Sequence, residues 1–147
     1  MPKAISYVRF SSAEQALGSS EERQLSNYRL WLTKNPDYEE SSLSEIDRGR
    51  SAFKPKHLEG GLGRLLKAIE EKRIFTDDAI VIEAFDRISR EDTSTALIRI
   101  NSILNAGVKI VTLEDSCVYT RESLNTSAVY VLLTKIQASH EYSKRLS

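Results

Sequence analysis

Cysteine is nearly absent. Cys117 is the single one among 147 residues, so no internal disulfide can form. Histidine is scarce as well, and His57 and His140 make no metal-ligand spacing with Cys117, so neither a metal nor another cofactor is expected. They read as ordinary surface residues. No apolar run approaches the roughly 20 residues that a helix needs to cross a bilayer, which argues against a membrane role. Met1-Pro2-Lys3 runs straight into a strand-like segment, without a long apolar region or a small-residue cleavage site, so the expected compartment is the cytoplasm. An excess of one charge is also missing: Lys plus Arg and Asp plus Glu each total 21. A net charge of zero supplies no general attraction to nucleic acid, so any such affinity must come from local clustering or a partner domain. Glycine is too sparse for a phosphate cradle after the first strand: Gly18 stands alone, and Gly60-Gly61-x-Gly63 lies before a helix and reads as a hinge. No Gly-x-Ser-x-Gly elbow surrounds any serine, which argues against a serine hydrolase. No repeat or low-complexity stretch is present.

What is there is the composition of one globular domain, 40% hydrophobic and 29% charged, with strands and amphipathic helices in alternation. Ala4 to Phe10 is rich in β-branched and aromatic residues and reads as a first strand. Ser19 and Glu22 have capping-box spacing, and Leu25, Tyr28, Trp31 and Leu32 share one helical face, which predicts a helix ending near Asn35, before Pro36. A brief polar strand is expected near Ser42 to Ile46, with a turn starting at Asp47. Leu62, Leu65, Leu66 and Ile69 define a second helix, and Ala79 to Ile82 a buried parallel strand. A third helix carries Leu97, Ile100 and Leu104 and ends at Ala106-Gly107, where glycine suits a left-handed cap. Val108 to Leu113 is the next strand, and a long last helix begins near Asn125 and is still helical in pattern at Ser147. This order predicts an α/β fold with a mostly parallel sheet of four to five strands and helices on both faces.

In open parallel sheets, ligands bind beyond the carboxyl ends of the strands. Those ends should deliver Arg9-Phe10-Ser11, Asp47-Arg48-Gly49-Arg50, Asp86-Arg87-Ile88-Ser89-Arg90 and Glu114-Asp115. Three of the four carry arginine, which predicts a locally cationic edge in a neutral chain. Ser11 would face the guanidinium groups of Arg9, Arg87 and Arg90 if the strands before them are neighbours. Arginine keeps its charge, and its planar fork pairs with phosphate oxygens, so such a cluster suits attack on a phosphodiester. Each residue taken alone fits a plain turn or surface role better, because exposed arginine is common.

Several separate segments together resemble one family. Tyr7-Val8-Arg9-Phe10-Ser11-Ser12-Ala13-Glu14-Gln15 is similar to the opening signature of the serine recombinases of the resolvase/invertase type, and Gln24 fits a further glutamine of that pattern. Asp86-Arg87-Ile88-Ser89-Arg90 resembles the family's Asp-Arg-Leu-x-Arg segment. Ser51 to Lys56 resembles the loop after the second strand in recombinases with large C-terminal regions, the large serine recombinases and integrases. The resemblance implies a resolvase-like catalytic domain over residues 1–147, in which Ser11 attacks a DNA phosphate, joins to the 5′ side of the break and releases a 3′ hydroxyl. By the same resemblance, Arg9, Arg87 and Arg90 bind the phosphate, and Asp86 and Gln15 orient those groups. The family usually places another arginine in the loop after the second strand, whereas Lys54, Pro55, Lys56 and His57 stand here. Lys54 or Lys56 would substitute, or Arg50 would reach in, although lysine supplies charge without the fork. No histidine or carboxylate is placed beside Ser11 by pattern, which leaves the general base open. Glu141 resembles a family glutamate near the active site and the interface, and a plain solvated helix position fits it equally well.

The apolar face from Val129 to Ile136, with Tyr130 and Val131, broadens to nearly the full circumference of the last helix, more than one sheet needs. Packing against another subunit is therefore expected. The resemblance implies double-stranded DNA as partner and substrate, no small-molecule substrate, a homodimer, a synaptic homotetramer, and DNA-binding domains beyond residue 147. It also implies a bacterial or phage-encoded protein, nucleoid-associated when bound to DNA. The competing reading from another class is a non-catalytic resolvase-like domain that serves assembly or DNA architecture.

Overall fold

A computed structural model describes residues 2–10, 20–48, 61–84 and 93–124, and the helical positions 134, 135, 137 and 138. Strand β1 spans Lys3–Phe10, followed by helix α1 at Ser20–Lys34 and two short strands, β2 at Glu39–Glu40 and β3 at Glu45–Arg48. Helix α2 covers Gly61–Glu70, β4 Ala79–Ile82, α3 Thr93–Asn105, β5 Lys109–Thr112 and β6 Cys117–Tyr119. A single 3₁₀ turn, Arg121–Leu124, follows.

Alternation along the strands sorts their side chains into two layers, because successive residues point to opposite faces. Ile5, Tyr7, Ile80, Ile82 and Ile110 enter one cluster with Leu65 and Ala68 of α2 and Ile100, Ile103 and Leu104 of α3. Ala4, Ala79, Val81 and Val111 enter the other, under Tyr28 and Trp31 of α1. The expected covering of both faces is thus met, among the described residues by two helices on one side and one on the other. Ala4 and Ala79 are register partners, and these small side chains leave room for the two aromatic rings. The Tyr28 hydroxyl sinks far enough to donate to the Ala4 carbonyl at 2.7 Å. Burial and the loss of water raise its pKa above the usual tyrosine value.

The sheet runs β2-β1-β4-β5-β6, with β3 also paired to β1. β2, β3 and β4 lie parallel to β1, β5 lies parallel to β4, and β6 is antiparallel to β5. β2 and β3 are one edge strand interrupted by a bulge. Lys3 pairs with Glu39 but Tyr7 with Glu45, so the offset grows from 36 to 38 and two residues are extra. The Ser44 hydroxyl bridges the gap by accepting the Ser6 N–H at 3.0 Å. The architecture is therefore the mostly parallel sheet that the element order implies, with five lanes.

Four local expectations need correction. The second strand is split and continues to Arg48, so Asp47 lies within β3 opposite Arg9 and starts no turn. Its length is set by the partner, since β3 pairs with β1 as far as Phe10. Gly61 and Gly63 lie inside α2 and are no hinge there, because Leu65 and Ala68 anchor that helix in the core. Cys117–Tyr119 is a further strand without a pattern in the sequence, made by a hairpin whose turn passes through Ser116 at φ 54°. Ser19 and most of the expected last helix lie outside the described residues.

Both described helix ends before β4 and β5 use the same device. Gly107 has φ +86°, Gly107 N–H donates to Leu104 and Val108 N–H to Ile103, which is the Schellman pattern. A Cβ at Gly107 would stand 2.9 Å from Thr76 Cγ2, so glycine is needed for space as well as for φ. After α2, Lys72 takes the equivalent place at φ 59°, with Lys72 N–H donating to Ile69 and Arg73 N–H to Ala68. At the amino end of β4, the buried carboxylate of Asp78 accepts the Lys3 and Phe75 N–H groups, each at 2.9 Å.

Candidate active site

β1 and β4 are neighbours that pair in parallel, Ala4 with Ala79, Ile5 with Ile80 and Ser6 with Val81, so their carboxyl ends point to the same edge, with β1 running on to Phe10 and β4 to Ile82. Neighbouring strands are about 4.8 Å apart. The segments that follow them therefore leave adjacent strands at the same edge of the sheet, that of β4 about three residues earlier in the register than that of β1. Ser11 follows the last residue of β1 directly, and Asp86-Arg87 come four and five residues after Ile82, the last of β4. β3 adds a third exit on the other side of β1, ending at Arg48 beside Phe10.

Of the residues singled out from the sequence, Arg9 is described. It is half-buried near the end of β1, opposite Asp47 of β3. Ser11, Gln15, Arg50, Lys54, Lys56, Asp86, Arg87, Arg90 and Glu141 lie outside the described residues. Gln24, marked only as part of a pattern, is 2% exposed, and its Nε2 donates to the Arg9 carbonyl at 3.3 Å. The first turns of α1 are thereby tied to the end of β1.

Two ion pairs near the same edge have no signal in the sequence. One Nη of Arg23 reaches both carboxylate oxygens of Glu83, at 3.1 and 3.3 Å, joining α1 to the residue just after β4. The partners are 60 residues apart, beyond any local periodicity. Asp115, in the β5–β6 turn, accepts the Thr112 hydroxyl at 2.6 Å, the Cys117 N–H at 3.3 Å and the Lys135 ammonium at 2.8 Å. Burial alone would raise the Asp115 pKa, but the hydrogen bonds from Lys135 and Thr112, with the Lys135 charge, outweigh it and hold the carboxyl below its usual range. Lys135 is correspondingly raised, first by its hydrogen bond to Asp115. Burial, with the charge of Asp115, raises the Tyr119 hydroxyl as well. Among the described residues, no group of three or more His, Cys, Asp or Glu is placed to hold a metal ion. Nor is any described helix long and apolar enough to cross a membrane.

A parallel α/β sheet whose arginine-bearing segments all leave from one edge defines a class of protein that meets its ligand at strand carboxyl ends. The particular family follows from comparison: residues 4–146 match the resolvase N-terminal domain, and the chain belongs to that family. The YbcK protein of Escherichia coli K12 is 40% identical over 144 residues, 96% of this chain, which spans 28% of that relative's length. The fold is similar to that of a resolvase family site-specific recombinase from Streptococcus pneumoniae, with a TM-score of 0.67, 19% identity, and coverage of 99% of this chain and 92% of that one. It is similar also to the N-terminal catalytic domain of TP901-1 integrase, with a TM-score of 0.63, 21% identity, and coverage of 99% and 98%.

Proposed function

We propose that this chain is the catalytic domain of a large serine recombinase or integrase, which cuts and rejoins double-stranded DNA through a covalent bond to Ser11. The Ser11 oxygen attacks phosphorus and loses its proton to a base. The new P–O bond holds the 5′ side of the break, while the bond to the 3′ oxygen breaks and that oxygen leaves as a hydroxyl. A 3′ hydroxyl from the other duplex reverses the step, so the phosphodiester energy is kept for religation. Arg9, Arg87 and Arg90 balance the charge on the non-bridging oxygens, where preorganised donors act most strongly. Asp86 and Gln15 orient them, Arg50, Lys54 and Lys56 add positive charge, and Glu141 supports the site from the last helix. The working assembly is a homodimer that pairs into a synaptic homotetramer on DNA, in the cytoplasm and on the nucleoid. DNA-binding domains beyond residue 147 complete it, in keeping with the greater length of the relative.

The observation that carries the reading is the parallel pairing of β1 with β4, which starts the Ser11 and Arg87 segments from adjacent strands. The test is covalent capture. The protein at its natural length is mixed with a pool of random-sequence duplexes and washed under denaturing conditions, and the retained DNA is sequenced. Wild type is expected to hold DNA through a 5′ phosphoserine at residue 11, and Ser11→Ala to hold none while folding normally. Capture that survives in Ser11→Ala would sink the proposal, and wild type that binds DNA without an adduct would favour the architectural reading instead.

A further inference from the structure

Arg23 and Gln24 are adjacent on α1, yet they hold different strands. Successive helix positions are turned by about 100°, so one side chain enters the core while the next points along the sheet edge. Gln24 is buried and bonds the Arg9 carbonyl of β1, whereas Arg23 is 53% exposed and grips the Glu83 carboxylate after β4, itself 14% exposed. Ser11 comes two residues after Arg9, and Arg87 four residues after Glu83. The segment that carries Ser11 returns to α1 at Ser20, three residues before Arg23. Arg9 and Glu83, which precede the two segments of the candidate site, are therefore both tied to the same turn of α1 through the adjacent Gln24 and Arg23.

We propose that the Arg23–Glu83 ion pair is a positioning clamp that fixes the Ser11 segment relative to the Arg87 segment. The inference rests on the recombinase reading above. With Arg23 half exposed, the pair contributes modestly to folding, since screening and side-chain entropy cancel much of its attraction. Its value lies in geometry. Reacting groups must be held within about half an ångström of their productive places, and a misplacement near 1 Å can cost about a hundredfold in rate. Without the clamp, the end of β4 is still held to β1 by backbone pairing up to Val81, but Glu83 loses its tie to the helix that receives the Ser11 segment.

The experiment uses the protein at its natural length and a duplex recovered by covalent capture, with single-turnover adduct formation as the readout. Arg23→Ala and Glu83→Gln are expected to form the Ser11 adduct about tenfold more slowly, and Arg23→Lys to stay within about threefold of wild type. Non-covalent binding of the duplex should be unchanged, and the melting temperature should move by no more than about 4 °C. Wild-type rates in Arg23→Ala and Glu83→Gln would overturn the clamp. So would a rate loss that merely tracks loss of folded protein and is not restored by Arg23→Lys. Absence of any adduct in wild type would instead remove the recombinase reading, and the clamp with it.

Discussion

Arg9 illustrates how far one side chain depends on its backbone. Its place near the end of β1 follows from pairing on both sides of that strand, and its carbonyl is held by a buried glutamine 15 residues on. The backbone of Arg9 is thus fixed, and in the proposed site that fixed stem favours a preorganised guanidinium, the property that separates a transition-state donor from a surface charge. Arg9→Ala and Arg87→Ala should each lower the rate of adduct formation by about two orders of magnitude, as the loss of one preorganised donor does. Arg9→Lys should recover part of it, because lysine returns the charge but not the fork. Adduct formation at the wild-type rate in either alanine variant would remove that residue from the site. The candidacy of Arg9 is legible in the sequence, through its spacing from Ser11. The support from Gln24 is not, since a hydrogen bond between a helix and a strand end depends on how the two pack.

Elements show the same division. β4 was legible to the residue, because four consecutive apolar residues, all buried, can only sit between two covered faces. Gly107 was legible as a helix stop because its type is demanded by a left-handed φ. Lys72 occupies the equivalent stop after α2 without being glycine, and an L-residue there carries a penalty of about 1 kcal/mol. Lys72→Gly is accordingly expected to stabilise the fold by roughly 0.5 to 1 kcal/mol, raising the midpoint of urea unfolding at unchanged slope. A lower midpoint would mean that the lysine side chain makes a contact worth more than the strain. β6 escaped the reading because Cys117-Val118-Tyr119 is short and becomes a strand through its hairpin with β5.

At the level of the full chain, the helical position Lys135 is joined to the β5–β6 turn by its ion pair with Asp115. The Asp115 carboxyl is lowered in the folded protein, so its contribution is present above the ordinary carboxylate pKa and fades as pH falls through the folded value. Lys135 is raised, so its contribution is present below the ordinary lysine pKa and fades only as pH climbs through the higher folded value. The join is therefore complete around neutral pH and weakens toward both extremes. Melting temperatures followed from about pH 6 down to about pH 2 should fall, and Asp115→Asn should flatten part of that decline. Identical acid limbs in the two proteins would show that other carboxylates carry the whole effect.

Fold class, the order of the main helices and parallel strands, and the edge at which chemistry is expected were all present in the chain, because apolar periodicity and turn chemistry act over a few neighbouring residues. The bulge that splits β2 from β3, the antiparallel β6, the Asp78 carboxylate that ties two strand starts, and the Arg23–Glu83 and Lys135–Asp115 pairs came only with the folded arrangement. Each of these joins segments whose proximity is set by packing, and no local pattern encodes which distant partner will arrive.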